Sequence, residues 1–259
     1  MKIALRLLAL GVHLLAGAVQ VALLYPFLGL PARRRLKRRW SRQFLARLGI
    51  RIVADADRFA ECTDGLLVCN HVSFVDIFVI NALSPAGFVA KAEIADWPLV
   101  GWLCRHTETV FIARGSRRAA HQTQRQMVDS LRAGHRLAIF PEGTTSIGDG
   151  VLPFHGALFQ AAIDANVAVH SLALAYFDEH GRRSLAPAYV GDLTLVDCLL
   201  AVLGERGLEV RIARCATHVP PHADRRHLAH HAHGEVARGL RQLGTRATQP
   251  DCNAEAMHR

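Results

Sequence analysis

The sequence predicts an α/β fold, with a mixed, partly parallel sheet flanked by helices and preceded by an N-terminal membrane-associated helical segment. From residue 50 onward, short apolar segments of strand length alternate with helical segments, as expected when helices connect the strands of a sheet. Polar loops follow two of these strands, at 70–73 and 141–146. In such sheets, sites gather beyond the carboxyl ends of the strands, so these loops are the first candidates for function.

The N-terminal segment combines a long apolar run with a cationic run. No formally charged residue occurs from Leu7 to Ala32, which is enough chain to span a bilayer or to lie within one. The next stretch, Arg33 to Arg51, contains nine Lys or Arg residues and no acid. Without those nine, 22 basic residues balance 22 acidic ones, so the whole excess of +9 belongs to this stretch. An apolar run followed by cations indicates attachment to a membrane with anionic headgroups.

Within the cationic stretch, apolar residues recur every four positions and predict an amphipathic helix. They are Leu36, Trp40, Phe44 and Leu48, and such a helix is expected to lie at the membrane interface with Trp40 near the headgroups. Three other interpretations stay open: a cleaved signal peptide with Ala16-Gly17-Ala18 as its small-residue site, nucleic-acid binding, or an ordinary soluble helix pair. We assign residues 1–48 to membrane association, 49–245 to the α/β domain and 246–259 to a disordered tail.

The elements of the domain follow from apolar runs, periodicity and turn residues. Strands are predicted at 50–54, 66–69, 87–91, 109–114, 136–140, 167–176, 186–190 and 207–214. Helices are predicted at 74–83, 98–105, 117–132, 156–165, 194–203 and 225–243. The six cysteines are scattered without zinc-type spacing, which indicates buried thiols in a reducing compartment.

The stretch NHVSFVD at 70–76 places His71 and Asp76 five positions apart. On one regular helix that separation is about 140°, so the two side chains would not face each other. They can meet if His71 lies in the loop and Asp76 in the first turn of the next helix, with Ser73 as a cap. Asp76 would then fix the imidazole tautomer and leave the other nitrogen free as a base. Because no nucleophile motif is present, the base would activate a hydroxyl of the substrate; the alternative is a capping or core histidine.

The second polar loop is FPEGTTS at 140–146. Gly143 allows backbone N–H groups to approach a ligand, and the hydroxyls from Thr144 onward add donors for an oxygen-rich group. A plain hydrophilic turn is the alternative for this loop alone.

NHVSFVD and FPEGTTS, about 70 residues apart, resemble the first and third motifs of the glycerolipid acyltransferase family, which includes bacterial 1-acylglycerol-3-phosphate acyltransferases. The segment KAEIADWPLVGWLCRHTETVFIAR resembles the second motif, with Lys91 and Arg114 near its two ends. The likeness covers about residues 60–190, and the joint occurrence of the motifs is highly specific.

This resemblance implies that His71 deprotonates the acceptor hydroxyl and that Asp76 orients it. Arg114 would bind the acceptor phosphate, while Glu142 and Gly143 would help to position its headgroup. Lys91 and Thr144 are further substrate-binding candidates. The acyl donor would be a thioester of coenzyme A or acyl carrier protein, with no metal and no other cofactor. The expected partners are membrane lipids and not nucleic acid, at the cytoplasmic face of a bacterial inner membrane.

Two departures from the family pattern put the acceptor lipid in question. Thr145 stands where members that act on lysophosphatidic acid often have Arg, and Ser171 stands near the usual proline of the fourth motif. Lysophosphatidic acid is therefore the first expectation and lyso-ornithine lipid the second, with a non-catalytic membrane-binding relative as a third. Histidines at 227, 230, 231 and 233 are interpreted as the wet face of a surface helix and not as metal ligands.

Overall fold

The computed structural model describes residues 2–60, 64–112 and 117–245. The α-helices in these residues are α1 (Lys2–Leu24), α2 (Leu30–Leu48), α3 (Ala56–Ala60), α4 (Val75–Leu83), α5 (Val100–His106), α6 (Arg117–Arg132), α7 (Gln160–Ala165), α8 (Leu195–Gly204) and α9 (Arg225–Thr245). Short 3-10 helices lie at Tyr25–Phe27, Ala92–Asp96 and Gly156–Phe159.

The strands form one seven-stranded mixed sheet in the order β1-β7-β6-β2-β5-β3-β4. They are β1 (Arg51–Val53), β2 (Leu66–Cys69), β3 (Gly87–Lys91), β4 (Val110–Ile112), β5 (Leu137–Ile139), β6 (Val169–Phe177) and β7 (Glu209–His218). The five strands from β6 to β4 are parallel, whereas β7 runs antiparallel to β6 and carries β1 at its outer edge. The predicted mixed, partly parallel sheet flanked by helices is confirmed.

The central strand β2 shows how the sheet separates two apolar layers. All four of its residues are buried. Leu66 and Val68 pack with residues of α6 and α9, while Leu67 and Cys69 pack with residues of α2, α4 and α8. Side chains alternate between the two faces of a strand, so a strand covered on both faces is apolar throughout. The NHVS loop begins directly after the carboxyl end of this central strand.

Helix α2 packs against α4, and this contact corrects one sequence expectation. Phe44 and Leu48 are buried, and the Phe44 ring lies 4.3 Å from the ring of Phe78. Trp40 does not stand out toward lipid headgroups: its ring packs against His13, Phe44 and Phe78. The apolar stripe finds a protein partner, and each such buried side chain contributes about 1.5–3 kcal/mol.

Part of the cationic run serves the fold. Lys37 donates to the carbonyls of Ala86 and Thr107 and pairs with the carboxylate of Glu108, and burial lowers the pKa of its ammonium. Arg42 donates to the carbonyl of Ala82 at 2.9 Å. These cations satisfy carbonyl groups at helix and loop ends, where helices leave acceptors unpaired. At least two of the nine cations in this run therefore bind groups within the protein and not lipid headgroups.

Helix α1 is the one described helix that is long and apolar enough to cross a membrane by length and composition. One of its faces packs on α2. The His13 ring stacks on Trp40 with centroids 4.7 Å apart, and Trp40 Nε1 donates to the His13 carbonyl at 3.1 Å. A Cβ on Gly17 would stand 2.4 Å from that indole nitrogen, so only glycine permits this approach.

Two further expectations have other outcomes. The predicted strand at 186–190 is wrong: these residues form a turn followed by irregular backbone. Their backbone groups bond to loops and not to a sheet neighbour, as Tyr189 N does to the Val72 carbonyl. The tail at 246–259 lies outside the described residues.

Two glycines of α9 provide a test of its packing against the sheet. A Cβ on Gly239 would lie 2.4 Å from Cys215 Sγ and 2.9 Å from Ala173 Cβ, whereas Gly234 has nothing within 4 Å. We expect Gly239→Ala to lower the free energy of unfolding by about 1–3 kcal/mol, because overpacking forces the helix off the sheet. Gly234→Ala should raise it by about 0.5–1 kcal/mol through helix propensity. Denaturant unfolding measures both, and equal effects of the two substitutions would contradict this packing.

Candidate active site

The loop after β2 is fixed to β6 by a side chain whose hydrogen bonds replace those of a strand backbone. The buried Asn70 amide donates to the Leu174 carbonyl at 3.0 Å and accepts from the Leu174 N–H at 2.9 Å. This two-way pairing extends the β2–β6 ladder by one residue, beyond the last backbone pair at Cys69 and Leu172. His71 therefore leaves the sheet at a defined point and direction.

Asp76 lies in the first turn of α4 and is fully buried. Its Oδ2 accepts from His71 Nδ1 at 2.9 Å and from the backbone N–H groups of Val72 and Ser73 at 2.7 and 2.9 Å. Its Oδ1 accepts from the hydroxyl of Tyr176 at 2.7 Å. Donors of this kind stabilise the charged form of a buried carboxylate. The expected meeting of a loop histidine with an aspartate in the first helical turn is what the structure contains.

The His71 ring is held on its flat face as well as at its edge. It stacks on Phe140 with centroids 3.8 Å apart and planes 8° from parallel. With Nδ1 facing the carboxylate, the neutral ring carries its proton there and leaves a lone pair on Nε2. Nε2 has no hydrogen-bond partner within the described residues, and the side chain is 19% exposed. The arrangement can accept a proton from an incoming hydroxyl.

The Glu142 side chain connects the NHVS loop with the FPEGTTS loop through hydrogen bonds to backbone N–H groups. Its Oε1 accepts from the His71 backbone N–H at 2.8 Å, and its Oε2 accepts from the Leu152 N–H at 3.1 Å. The carboxylate is 4% exposed, and burial raises its pKa to about 7. Both oxygens are thus occupied by backbone donors. Any effect of Glu142 on a ligand passes through the loops that it joins.

The FPEGTTS loop starts with a tight turn in which Gly143 N donates to the Phe140 carbonyl at 3.1 Å. Gly143 adopts φ +72°, a conformation that favours glycine, and a Cβ there would meet the His155 ring at 3.4 Å. Thr144 is exposed, so its hydroxyl is available, whereas the Thr145 hydroxyl donates to the Tyr189 carbonyl.

The remaining predicted site residues lie farther from the dyad or outside the described residues. Lys91 is exposed at the end of β3, and two strand spacings of about 5 Å each separate β3 from β2. Its register partner in β4 is Ile112. Arg114 lies outside the described residues. Among the sequence candidates, His71, Asp76, Glu142 and Gly143 are brought together.

Tyr176 was missed by sequence reasoning, although it belongs to the site. It lies in β6, where every residue is buried, and its ring reads as one more core side chain. The one available signal was its hydroxyl, because a buried tyrosine hydroxyl usually has a partner. Burial and the neighbouring Asp76 charge raise the pKa of Tyr176 well above its usual value, so the hydroxyl keeps the proton that it donates.

The four histidines that we interpret as the exposed face of a surface helix lie in the first half of α9. The rings of His227 and His231 lie 4.2 Å apart, yet no group of three or more His, Cys, Asp or Glu among residues 2–60, 64–112 and 117–245 is arranged to hold a metal ion. This cluster sits beside His218, whose register partner is Val169 at the start of β6. It is at the opposite edge of the sheet from His71.

Known proteins resemble this chain in sequence. The pattern of the acyltransferase family matches residues 51–175. A 1-acyl-sn-glycerol-3-phosphate acyltransferase of Neisseria meningitidis is 43% identical over 59% of this chain and 60% of its own length. Lyso-ornithine lipid O-acyltransferases are 41% identical in Pseudomonas aeruginosa, over 68% of this chain and 67% of that protein, and 36% identical in Rhizobium meliloti, over 80% and 74%.

A solved structure resembles the fold. The crystal structure of the 1-acyl-sn-glycerophosphate acyltransferase PlsC from Thermotoga maritima has a TM-score of 0.65, covers 94% of this chain and 98% of its own, and is 20% identical in sequence. At that identity the likeness concerns the fold. The chain spans 60% of the length of the Neisseria relative that it matches.

We expect Tyr176→Phe to lower the free energy of unfolding by about 1–3 kcal/mol, because a buried carboxylate oxygen of Asp76 loses its donor. Tyr25→Phe is the matched control: Tyr25 is also buried, and its hydroxyl is not among the donors to Asp76. Denaturant unfolding at neutral pH compares the two variants. A loss for Tyr176→Phe no greater than that for Tyr25→Phe would contradict the importance of this bond.

Proposed function

The chain belongs to the acyltransferase family, and on that premise we propose that it transfers a fatty acyl group from a thioester to the free hydroxyl of a lysolipid. The observation that carries the proposal is the His71–Asp76 pair, with Nδ1 2.9 Å from Oδ2 and Nε2 turned away from the carboxylate. A family relationship alone would also allow a non-catalytic relative. An intact dyad, with a buried aspartate whose two oxygens are both bonded and a histidine whose Nε2 is free within the described residues, favours the enzyme.

His71 acts as the general base in the proposed reaction. Its Nε2 takes the proton of the acceptor hydroxyl, and the alkoxide oxygen attacks the thioester carbonyl carbon. The tetrahedral adduct then collapses, the C–S bond breaks, and the departing thiolate takes the proton from the imidazolium. Asp76 holds the tautomer and stabilises the charged ring in between. No covalent acyl-enzyme is needed, because the nucleophile belongs to the substrate. The donor thiol would be coenzyme A or acyl carrier protein.

We propose 1-acyl-glycerol-3-phosphate as the acceptor and phosphatidic acid, a phospholipid precursor, as the product. The two Neisseria relatives are named as acyltransferases of this acceptor. Two cationic residues are candidates for the phosphate: Arg114, whose guanidinium suits a bidentate phosphate contact, and Lys91 at the end of β3. Thr144 of the FPEGTTS loop offers an exposed hydroxyl as a further candidate contact.

Lyso-ornithine lipid is the second candidate acceptor, and Thr145 is the observation that favours it. Its hydroxyl is engaged by the Tyr189 carbonyl. The position where lysophosphatidic acid enzymes often have a cation thus offers neither charge nor a free donor. Relatives of P. aeruginosa and R. meliloti named for this lipid match more of the chain than the Neisseria proteins do.

We further propose that α1 attaches the enzyme to the membrane by lying in its surface and not by crossing it. Its inner face is fixed to the domain near both ends and at the centre, from Arg6 on the Leu203 carbonyl to buried Val21. The opposite face exposes the apolar side chains of Leu5, Leu8, Val12, Leu15, Val19 and Leu23. A helix bound lengthwise to a domain that stays in water cannot also span the bilayer. A bacterial inner membrane with the domain on the cytoplasmic side would supply both lysolipid and thioester.

Replacing either member of the dyad should abolish most of the turnover. For His71→Ala we expect kcat to fall about 10²–10⁴-fold, the usual contribution of a general base, and for Asp76→Asn a similar loss because the ring loses its acceptor. Transfer of radiolabelled acyl groups to lysolipid in detergent measures the effect. His121→Ala, an exposed histidine on α6, should retain wild-type turnover. Wild-type rates in a folded His71→Ala variant would rule out the proposed mechanism.

The acceptor is tested by competition. Given equal amounts of lysophosphatidic acid and lyso-ornithine lipid, we expect purified protein to acylate the former at least tenfold faster with either acyl carrier. Arg114→Ala should reduce this preference by raising KM for the phosphate-bearing lipid, since a charge-assisted bond is lost. A faster rate with lyso-ornithine lipid would transfer the assignment to the second candidate.

A further inference from the structure

Helix α8 is a surface helix without a polar face. Its ten residues, LVDCLLAVLG, contain one charged side chain, Asp197. That aspartate is used in the cap: its Oδ2 accepts from Thr194 N at 2.9 Å, while the Thr194 hydroxyl accepts from Asp197 N. Three apolar side chains face outward: Leu193, which precedes the helix, and Val196 and Leu200 within it. Their exposed fractions are 44%, 60% and 40%. A soluble surface helix normally presents polar residues there.

The exposed row of α8 borders α1. At about 100° per residue, Val196 and Leu200 lie about 20° and 60° around the helix from Leu203, whereas Asp197 lies about 120° away. Leu203 is buried in the same apolar cluster as Leu10 of α1, and its carbonyl accepts from Arg6 at 2.8 Å. The row therefore extends the outward apolar face of α1 sideways. Asp197 lies about 60° beyond Leu200, on the side of the row that is farther from Leu203 and α1.

The same helix touches the catalytic loop. Cys198 Sγ lies 3.9 Å from the Ser73 hydroxyl and 3.3 Å from the Pro187 carbonyl. Two residues after that proline, Tyr189 N donates to the Val72 carbonyl at 3.0 Å. One side of α8 is thus locked to the loop that carries His71, and the other side is apolar and open.

We propose that α8 is a second lipid-contacting element, whose Leu193, Val196 and Leu200 row enters the outer part of a bilayer leaflet beside α1 and holds the catalytic loop at the membrane surface. The inference rests on the proposed lysolipid acyltransfer for its purpose. It names lipid because the row continues the α1 face proposed to lie in the bilayer. At about 15 Å, α8 is half the length needed to cross the hydrocarbon core, so it lies in the interface.

The test uses the full chain with α1 intact. Val196→Asp/Leu200→Asp places two charges on exposed positions, so folding should persist. Val219→Asp is the control, because Val219 is 68% exposed and follows the end of β7, at the edge of the sheet opposite to His71. Binding is measured by flotation with vesicles of phosphatidylcholine and phosphatidylglycerol. Turnover is measured with lysolipid in the same vesicles and, separately, in detergent micelles.

We expect the double variant to bind vesicles at least fivefold more weakly and to lose about tenfold in vesicle turnover, with micellar turnover within twofold of wild type. Val219→Asp should match wild type in all three. Unchanged vesicle binding by the double variant overturns the proposal, as does a change from dimer to monomer in detergent without a binding loss, which would assign the row to a second copy of the chain. Wild-type protein that binds vesicles but transfers no acyl group would refute the proposed function alone, because the binding comparison still stands.

Discussion

The site depends on one buried anion, the carboxylate of Asp76. It has no Lys or Arg partner among the described residues, and four hydrogen bonds from 2.7 to 2.9 Å replace the water that it has lost. A buried charge is tolerated only where its lone pairs are satisfied in this way. Three donors come from consecutive loop residues, namely the His71 imidazole and the next two backbone amides, and the fourth is the tyrosine of β6. Stabilising the anion therefore also fixes the loop, the ring and the strand relative to one another.

Asn70 and Glu142 apply the same principle to the neighbouring backbone. Each is a buried polar side chain that bonds main-chain groups which no strand or helix can satisfy: Asn70 extends the sheet, and Glu142 joins two loops. Loops at a sheet edge have many unpaired N–H and C=O groups, and leaving them buried and unpaired is costly. The three polar side chains solve this problem while orienting His71. The same atoms thus satisfy the backbone of the loops and orient the ring to which we assign the proposed base role.

The sequence was sufficient where one pattern had one physical cause. LLVC at 66–69 predicted a buried strand, and the spacing in NHVSFVD allowed His71 and Asp76 to meet with the histidine in the loop and the aspartate in the first turn of the helix; the structure has both. The sequence failed where partners are distant in the chain. Tyr176 differs from a core aromatic only through its bond to a residue 100 positions away. The periodicity of α2 predicted Trp40 as a headgroup anchor, yet its ring packs against residues of α1 and α4. The apolar residues at 186–190 predicted a strand, yet they do not join the sheet.

The bonds that fix the His71 loop also bear on how a lipid would reach it in the proposed reaction. The loop is bonded to β6, to the Glu142 carboxylate and to Tyr189, and these bonds hold His71 in place against the domain. In the proposed reaction the lipid would have to be brought to His71, and His71 would have to be held at a fixed height above the membrane. One attached helix would leave the domain free to tilt about its axis. A second apolar contact on α8, bonded to the loop through Cys198, would remove that freedom and set the distance between bilayer and imidazole.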